Sequence, residues 1–237
     1  MQEILNRCRQ WIRVQITSAG ASGIILGLSG GIDSAVAAVI AREALGRDKV
    51  LGVIMPCHSI ERDQADAELL AKKFDIDYKI VNLSEIFDTV LKTLGSEIPV
   101  TAQSNLKARL RMSILYSLAQ SKNFLVCGTS NRSEYETGYV TKYGDAGVDL
   151  MPLANFLKRD IRNLARALEI PACIIDKAPS AGLYEGQTDE NDMGFTYDVL
   201  DEYLASGKID NIQARERIEN MRRKSEHKRK PVPIFKI

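Results

Sequence analysis

The stretch Ile24-Ile25-Leu26-Gly27-Leu28-Ser29-Gly30-Gly31-Ile32-Asp33-Ser34-Ala35 joins an apolar run to an alanine-rich segment that continues to Leu45. The first part has the character of a short buried strand and the last part that of a helix. A strand, a glycine-rich turn and a helix N-terminus together form an anion site. The glycines let the backbone approach phosphate oxygens, and the helix start offers unpaired N–H groups at the positive end of its dipole. Ser29 and Ser34 add hydroxyl donors, and Asp33 adds a carboxylate able to hold Mg²⁺. The loop has neither the lysine and spacing of G-x-x-x-x-G-K-[ST] nor the pattern G-x-G-x-x-G. A turn that merely connects strand to helix is the competing reading. The two serines and the acid in this setting weigh against it.

Outward from this loop, strands and helices alternate. Residues 50–55 read as a strand stopped by Pro56, and 77–81 and 124–127 as further strands. Helices are expected at 3–19, 34–45, 84–94, 105–121, 158–168, 195–204 and 209–221. Another, at 63–74, would carry Ala65, Leu69, Leu70 and Phe74 on one face. Short apolar strands alternating with helices predict an α/β fold, a doubly wound parallel sheet with helices on both faces. Ligands of such sheets bind beyond the carboxyl ends of the strands. The glycine loop and the turn Gly128-Thr129-Ser130 both fall on that edge. Residues 132–149 read as a long polar loop, 179–192 as a second loop rich in glycine and acid, and 222–230 as a basic tail. With no repeat and no low-complexity linker, residues 1–237 read as one domain.

Composition narrows the function. Hydrophobic residues make up 45% of the 237 and charged residues 27%, ordinary values for a globular protein. A net charge of +1 gives no electrostatic case for nucleic-acid or membrane binding. No apolar run approaches the roughly 20 residues that span a bilayer, and the N-terminus lacks a signal-peptide layout. Cys8, Cys57, Cys127 and Cys173 are widely spaced, which predicts free thiols in a reducing cytoplasm rather than a zinc site or disulfides.

The run Ser29-Gly30-Gly31-Ile32-Asp33-Ser34 resembles the pyrophosphate-binding loop of the ATP pyrophosphatase superfamily, whose members cleave ATP to AMP and pyrophosphate. Further motifs follow in order. They are Gly128-Thr129-Ser130-Asn131-Arg132-Ser133-Glu134, Thr137 to Asp145, Asp149-Leu150-Met151-Pro152-Leu153, Lys177-Ala178-Pro179-Ser180-Ala181, Glu185-Gly186-Gln187-Thr188-Asp189-Glu190 and Glu226-His227-Lys228-Arg229. This series resembles the NAD synthetase family over nearly the whole chain, and the ammonia-dependent branch in particular. The glutamine-dependent branch carries an additional nitrilase-type amidase domain for which this chain has no room. The resemblance implies a Rossmann-like sheet of the adenine-nucleotide α-hydrolase type and a ligase that forms a C–N bond. ATP would adenylate the nicotinate carboxylate of deamido-NAD, and ammonia would displace AMP to give NAD.

Site roles carry over by position. Gly27, Leu28, Ser29, Gly30, Gly31, Ile32, Asp33 and Ser34 fall where the family cradles the phosphates of ATP, with Thr129, Lys158 and Ser180 at further ATP-contacting positions. Asp33 and Glu134 match the Mg²⁺ carboxylates. Arg109, Lys142, Asp149, His227 and Lys228 match deamido-NAD contacts. Lys158 and Asp145 are the catalytic candidates, Asp145 either helping to position or deprotonate ammonium or simply stabilising its loop. By themselves Arg109, next to Lys107 and Arg111, and Lys158, next to Arg159, would read as solvated helix charge. Ser180 stands where threonine is frequent, and Ser130-Asn131-Arg132 replaces a more usual Asp-His-Ala. The family implies a homodimer whose partner chain helps build the deamido-NAD site, with a separate glutaminase subunit as the alternative nitrogen source. Two rival readings compete with this one. Another adenylating enzyme, such as an RNA-thiolating one, would bring paired cysteines or an RNA-binding module, and neither is seen. A nucleotide-binding regulator without chemistry does not require Asp33, Glu134 and Lys158 together.

Overall fold

Strands β1 (Gly23–Gly27), β2 (Val50–Ile54), β3 (Asp77–Ile80) and β4 (Phe124–Val126) form one sheet in the order β3-β2-β1-β4. All neighbours are parallel, with Ile24 opposite Val50 on one side and Leu125 on the other. The computed structural model describes every residue except 96, 181, 183–185, 187 and 237. Parallel neighbours need crossovers, which the helices supply. They are α1 (Gln2–Ser18), α2 (Ile32–Leu45), α3 (Glu61–Lys73), α4 (Ser84–Leu94), α5 (Val100–Lys122) and α6 (Arg132–Thr137). Then follow α7 (Lys158–Ala167), α8 (Ala172–Ile175), α9 (Asp189–Met193), α10 (Tyr197–Ser206) and α11 (Ile212–Lys224).

The period-2 geometry of the strands divides the core. Ile24 and Leu26 point to one face, where they pack with α1, α2, α3 and α7. Ile25, Leu51 and Val53 point to the other, packed with α4 and α5. Helix α2 is buried nearly all round, with Val36, Ala37, Ala38 and Val39 at 0% exposure. Its small side chains fit the space between the sheet and α1, which covers it with Leu5, Cys8, Ile12 and Ile16. Burying each of the larger of these is worth about 1.5–3 kcal/mol. A third cluster, Met193, Tyr197, Leu200 and Ile218, joins α10 and α11 to Leu157 at the start of α7.

The strand order creates the site. From β1 the chain moves outward through β2 to β3, then returns through α4 and α5 to place β4 on the other side of β1. The loops leaving β1 and β4 therefore diverge, and a crevice opens between them at the carboxyl edge. These are the glycine loop and the Gly128-Thr129-Ser130 turn.

Several sequence expectations are corrected. On α3 the buried face is Asp66, Ala67, Leu70 and Ala71, while Leu69 is 45% exposed and Ala65 is exposed. Helix α5 begins at Val100, not 105, because Pro99 caps it and accepts from the amides of Ala102 and Gln103. The loop expected at 132–149 contains α6. Its signal is Asn131-x-x-Glu134, a reciprocal cap in which each side chain accepts from the other's backbone N–H. The loop expected at 179–192 ends in α9, and its residues 181, 183–185 and 187 lie outside the described part. The basic tail is not free. Arg222 lies in α11 and pairs with Glu136 at 2.8 Å, and Arg229 donates to the Tyr135 carbonyl at 3.2 Å. Cys8, Cys57, Cys127 and Cys173 are free, and no helix among the described residues is long and apolar enough to cross a membrane.

One glycine of the loop is fixed by packing. Gly30 has φ +76°, and a Cβ there would meet the Asp63 carbonyl oxygen of α3 at 2.2 Å. Gly30→Ala is therefore expected to destabilise the protein by about 1–3 kcal/mol. Urea denaturation reads this as a lowered midpoint at unchanged slope, and an unchanged midpoint would contradict the packing argument.

Candidate active site

The glycine loop is held open by its own hydroxyls. Ser34 Oγ donates to the Gly31 carbonyl at 2.9 Å, lies 3.0 Å from Ser29 Oγ and accepts from the Ser29 N–H at 3.3 Å. Ser29 Oγ in turn accepts from the Gly31 N–H at 3.2 Å. Gly31 is the N-cap of α2 and no side chain caps that end, so the first amides of the helix remain available to a ligand. The loop opens into a cavity of about 710 Å³, within the range of small-molecule sites.

Lys158 is the hub. Its ammonium lies 2.5 Å from Asp33 Oδ2 and 3.1 Å from Glu134 Oε1, and the residue is 2% exposed. Burial alone would favour the neutral amine, but Asp33 and then Glu134 outweigh it and hold the ammonium charged. Three segments distant in sequence deliver these groups: the first turn of α2, α6 after β4, and the first residue of α7. Asp201 of α10 anchors α7 by accepting from the N–H of Arg159 at 2.8 Å and from Ser133 Oγ at 2.6 Å. Asn131 Nδ2 donates to Asp33 Oδ1 at 2.8 Å, so the capping residue of α6 also orients the carboxylate of α2. Tyr197, fully buried, donates to Asp189 Oδ2 at 2.8 Å and reaches Glu134 Oε1 at 3.3 Å, with its ring 4.8 Å from the Lys158 ammonium. Burial, and then the negative charge of Asp33, push the Glu134 carboxyl up to about 7 against the pull of Lys158.

The sequence-derived candidates fall into two groups. Gly27, Leu28, Ser29, Gly31, Ile32, Asp33, Ser34, Thr129, Glu134, Asp145, Lys158, Ser180 and Lys228 line the cavity, and Gly30 underlies it with its carbonyl bonded to Lys177. Asp145 accepts from the Thr141 N–H at 2.8 Å, so it stabilises its loop as well as lining the cavity. Lys228 donates to the carbonyls of Gly138 and Val140, each at 2.7 Å. The docking of this tail needs Gly138, where a Cβ would meet that of Ser225 at 2.1 Å. Arg109, Lys142, Asp149 and His227 lie outside the cavity. Arg109 donates to the Lys142 carbonyl at 3.2 Å on the exposed side of α5. Two turns on, Tyr116 donates to Asp149 Oδ1 at 3.0 Å, and Asp149 Oδ2 accepts from the Val126 N–H at 2.7 Å. His227 is exposed.

Four supporting residues carry contacts to which the sequence alone assigns no task. Lys177 Nζ donates to the Gly30 carbonyl and to Asp63 Oδ1, each at 3.0 Å, and pairs with Asp66, tying the glycine loop to α3. Asp201, Tyr197 and Asp189 act through contacts far apart in sequence. Lys177 and Asp189 stand within the motifs above without a task assigned to them, and for Asp201 the signal is polarity on an otherwise apolar helix face. Among the described residues no group of three or more His, Cys, Asp or Glu side chains could hold a metal. A pair of carboxylates around one cation does suit Mg²⁺, which takes one or two carboxylates and completes its shell with phosphate and water.

The raised Glu134 pKa has a measurable consequence for the metal-free protein. The folded state holds this proton more tightly than the unfolded chain, where glutamate titrates near 4.5. Stability from this group is full below about 4.5 and is lost as pH rises through about 7. The melting temperature of wild type minus that of Glu134→Gln should fall by about 2–6 °C across that window and then level off. A difference independent of pH would remove the proton from Glu134.

The geometry agrees with what comparison finds. Residues 4–232 match the family described as NAD synthase. The NH(3)-dependent NAD(+) synthetase of Finegoldia magna is 47% identical over 228 residues, which are 96% of this chain and 93% of the relative. Among solved structures, the NMN synthetase from Francisella tularensis matches with a TM-score of 0.95 at 37% identity, covering 100% of this chain and 98% of that one. The NH3-dependent NAD synthetase from Campylobacter jejuni, solved with a nitrate ion, matches with a TM-score of 0.83 at 30% identity, covering 99% and 98%. With a parallel sheet, a glycine loop and a carboxylate–lysine centre in one crevice, and with likeness of sequence and backbone over nearly its whole length, this chain belongs to the NAD synthase family.

Proposed function

We propose that the cavity amidates the nicotinate carboxylate of deamido-NAD with ammonia, at the expense of ATP. The observation that carries this reading is the convergence of Asp33, Glu134 and Lys158 beside the open glycine loop. In the first step a carboxylate oxygen attacks the α-phosphorus of ATP and pyrophosphate leaves. In the second the ammonia nitrogen attacks the acyl carbon, loses a proton, and AMP leaves. The chemistry needs two steps because oxide is a poor leaving group and AMP a good one.

The residues have distinct tasks in this reading. The amides and hydroxyls of residues 29–34 bind the polyphosphate. Lys158 supplies a fixed positive charge where charge builds up on the departing pyrophosphate. Asp33 and Glu134 would hold Mg²⁺, which when bound neutralises phosphate charge. Asp145, half-buried in the cavity wall with its carboxyl pushed up by desolvation, holds ammonium or takes its proton. Arg109, Lys142, Asp149, His227 and Lys228 contact the rest of the dinucleotide. Four of them lie on the exterior, which fits a substrate that runs out of the cavity onto a surface completed by a second copy of the chain. Free ammonia is the nitrogen source, as the names of the ammonia-dependent relatives support, and the enzyme works in the cytoplasm.

A second reading has its own observation. The backbone matches an enzyme named NMN synthetase with a TM-score of 0.95, against 0.83 for an NH3-dependent NAD synthetase. The same two steps on nicotinate mononucleotide would give nicotinamide mononucleotide and need nothing outside the cavity. Incubation with Mg-ATP, ammonium chloride and either nicotinate substrate separates the readings by the ratio of kcat/KM. Amide product and AMP are expected in equal amounts, without ADP. Lys158→Met should lower kcat by about 10²–10³-fold. Binding of ATP with no AMP formed from either substrate would defeat both readings.

A further inference from the structure

The cavity contains a cation that the steps above leave without a task. Arg111 stands on α5 and lines the cavity together with Met55, Ser59 and Asp63. Its Nε donates to the Met55 carbonyl at 3.1 Å and its Nη2 to Ser59 Oγ at 3.4 Å. Both acceptors are neutral and belong to the turn leaving β2. A guanidinium has five N–H donors in a planar fork, so these two bonds leave much of it unspent. Among the described residues Arg111 forms no ion pair within 4.0 Å. The lysines on the phosphate side differ: Lys158 is neutralised by Asp33 and Glu134, and Lys177 by Asp63 and Asp66. Desolvation disfavours its charge, and the groups that favour it, Cys57, then Asp145 and Asp63, form no ion pair with it. Arg111 is half-buried, a setting in which a charge without a partner is costly, and a ligand that brings the counter-charge removes that cost.

We propose that Arg111 is a substrate-binding residue whose remaining N–H groups take a pair of anionic oxygens, of a carboxylate or a phosphate, from a ligand seated in the cavity. The geometry of the fork matches two such oxygens bidentately, which a lysine cannot reproduce. The assignment rests on the reading of the cavity as an amidating site. The oxygens come from ATP or from the nicotinate substrate.

Calorimetry on the whole chain tests this with four probes, each alone: Mg-ATP, deamido-NAD, nicotinate mononucleotide and nicotinamide mononucleotide. Arg111→Gln should weaken at least one probe by about ten- to hundredfold, as expected for hydrogen bonds to a charged group. Arg111→Lys, which keeps charge and stem, should recover only part of the loss. It also serves if the glutamine variant does not fold. A loss for Mg-ATP alone supports the proposal with ATP as the source. A loss for nicotinate but not nicotinamide mononucleotide supports it with the carboxylate as the source, and a loss for both with the mononucleotide phosphate. Unchanged affinities in both variants, with only the melting temperature lowered, would overturn it and leave Arg111 as a clamp on the β2 turn. Wild-type protein that binds none of the probes would overturn the amidating reading and this assignment with it.

Discussion

The ion triplet of Asp33, Lys158 and Glu134 is the constraint on which the site depends. A lysine 2% exposed is tolerated because two carboxylates surround it. In turn the lysine relieves two acids that would otherwise repel each other in a crevice of low polarity. Neither half is stable alone, so the segments that carry them must meet: the N-terminus of α2, the capped turn of α6 and the N-terminus of α7. Tyr197, Asn131 and Asp201 hold that meeting from behind by hydrogen bonds and packing.

The sheet makes this meeting cheap in entropy. The reversal of direction between β1 and β4 brings two strand-to-helix turns side by side before any side chain is considered. α5 then closes the far wall, and its early start at Val100 brings Val100, Thr101 and Ser104 into the cavity lining. The small cluster around α10 and α11 has a different task. It packs Leu157, which precedes Lys158, and so fixes where α7 begins. Lys177 does the same for the glycine loop, through the carbonyl of Gly30 rather than a side chain.

Lys158 pairs with both carboxylates. In the proposed reaction Asp33 and Glu134 would hold Mg²⁺ in competition with this ammonium, and the phosphates of ATP would attract the ammonium in turn. The raised pKa of Glu134 reflects its burial first and then the negative charge of Asp33, which one ammonium only partly offsets.

The sequence by itself determined the four strands with helices between them and marked the glycine loop as an anion site with Asp33 beside it, while Glu134, Thr129 and Lys158 were singled out only by resemblance to a family. Local patterns sufficed for the strands and the loop. Apolar runs specify buried parallel strands, and a glycine turn before a helix specifies exposed amides whatever surrounds it. The tertiary structure alone decided that Leu69 faces outward while Asp66 faces inward to Lys177, that Asp201 caps a helix forty residues earlier, and that the basic tail docks on α6. Periodicity cannot anticipate these, because a polar side chain is buried only when a distant segment supplies its partner. The division of the expected dinucleotide contacts between cavity and exterior has the same origin. Their spacing in sequence carries no information about which side of α5 they occupy, since that is set by how α5 packs on the sheet.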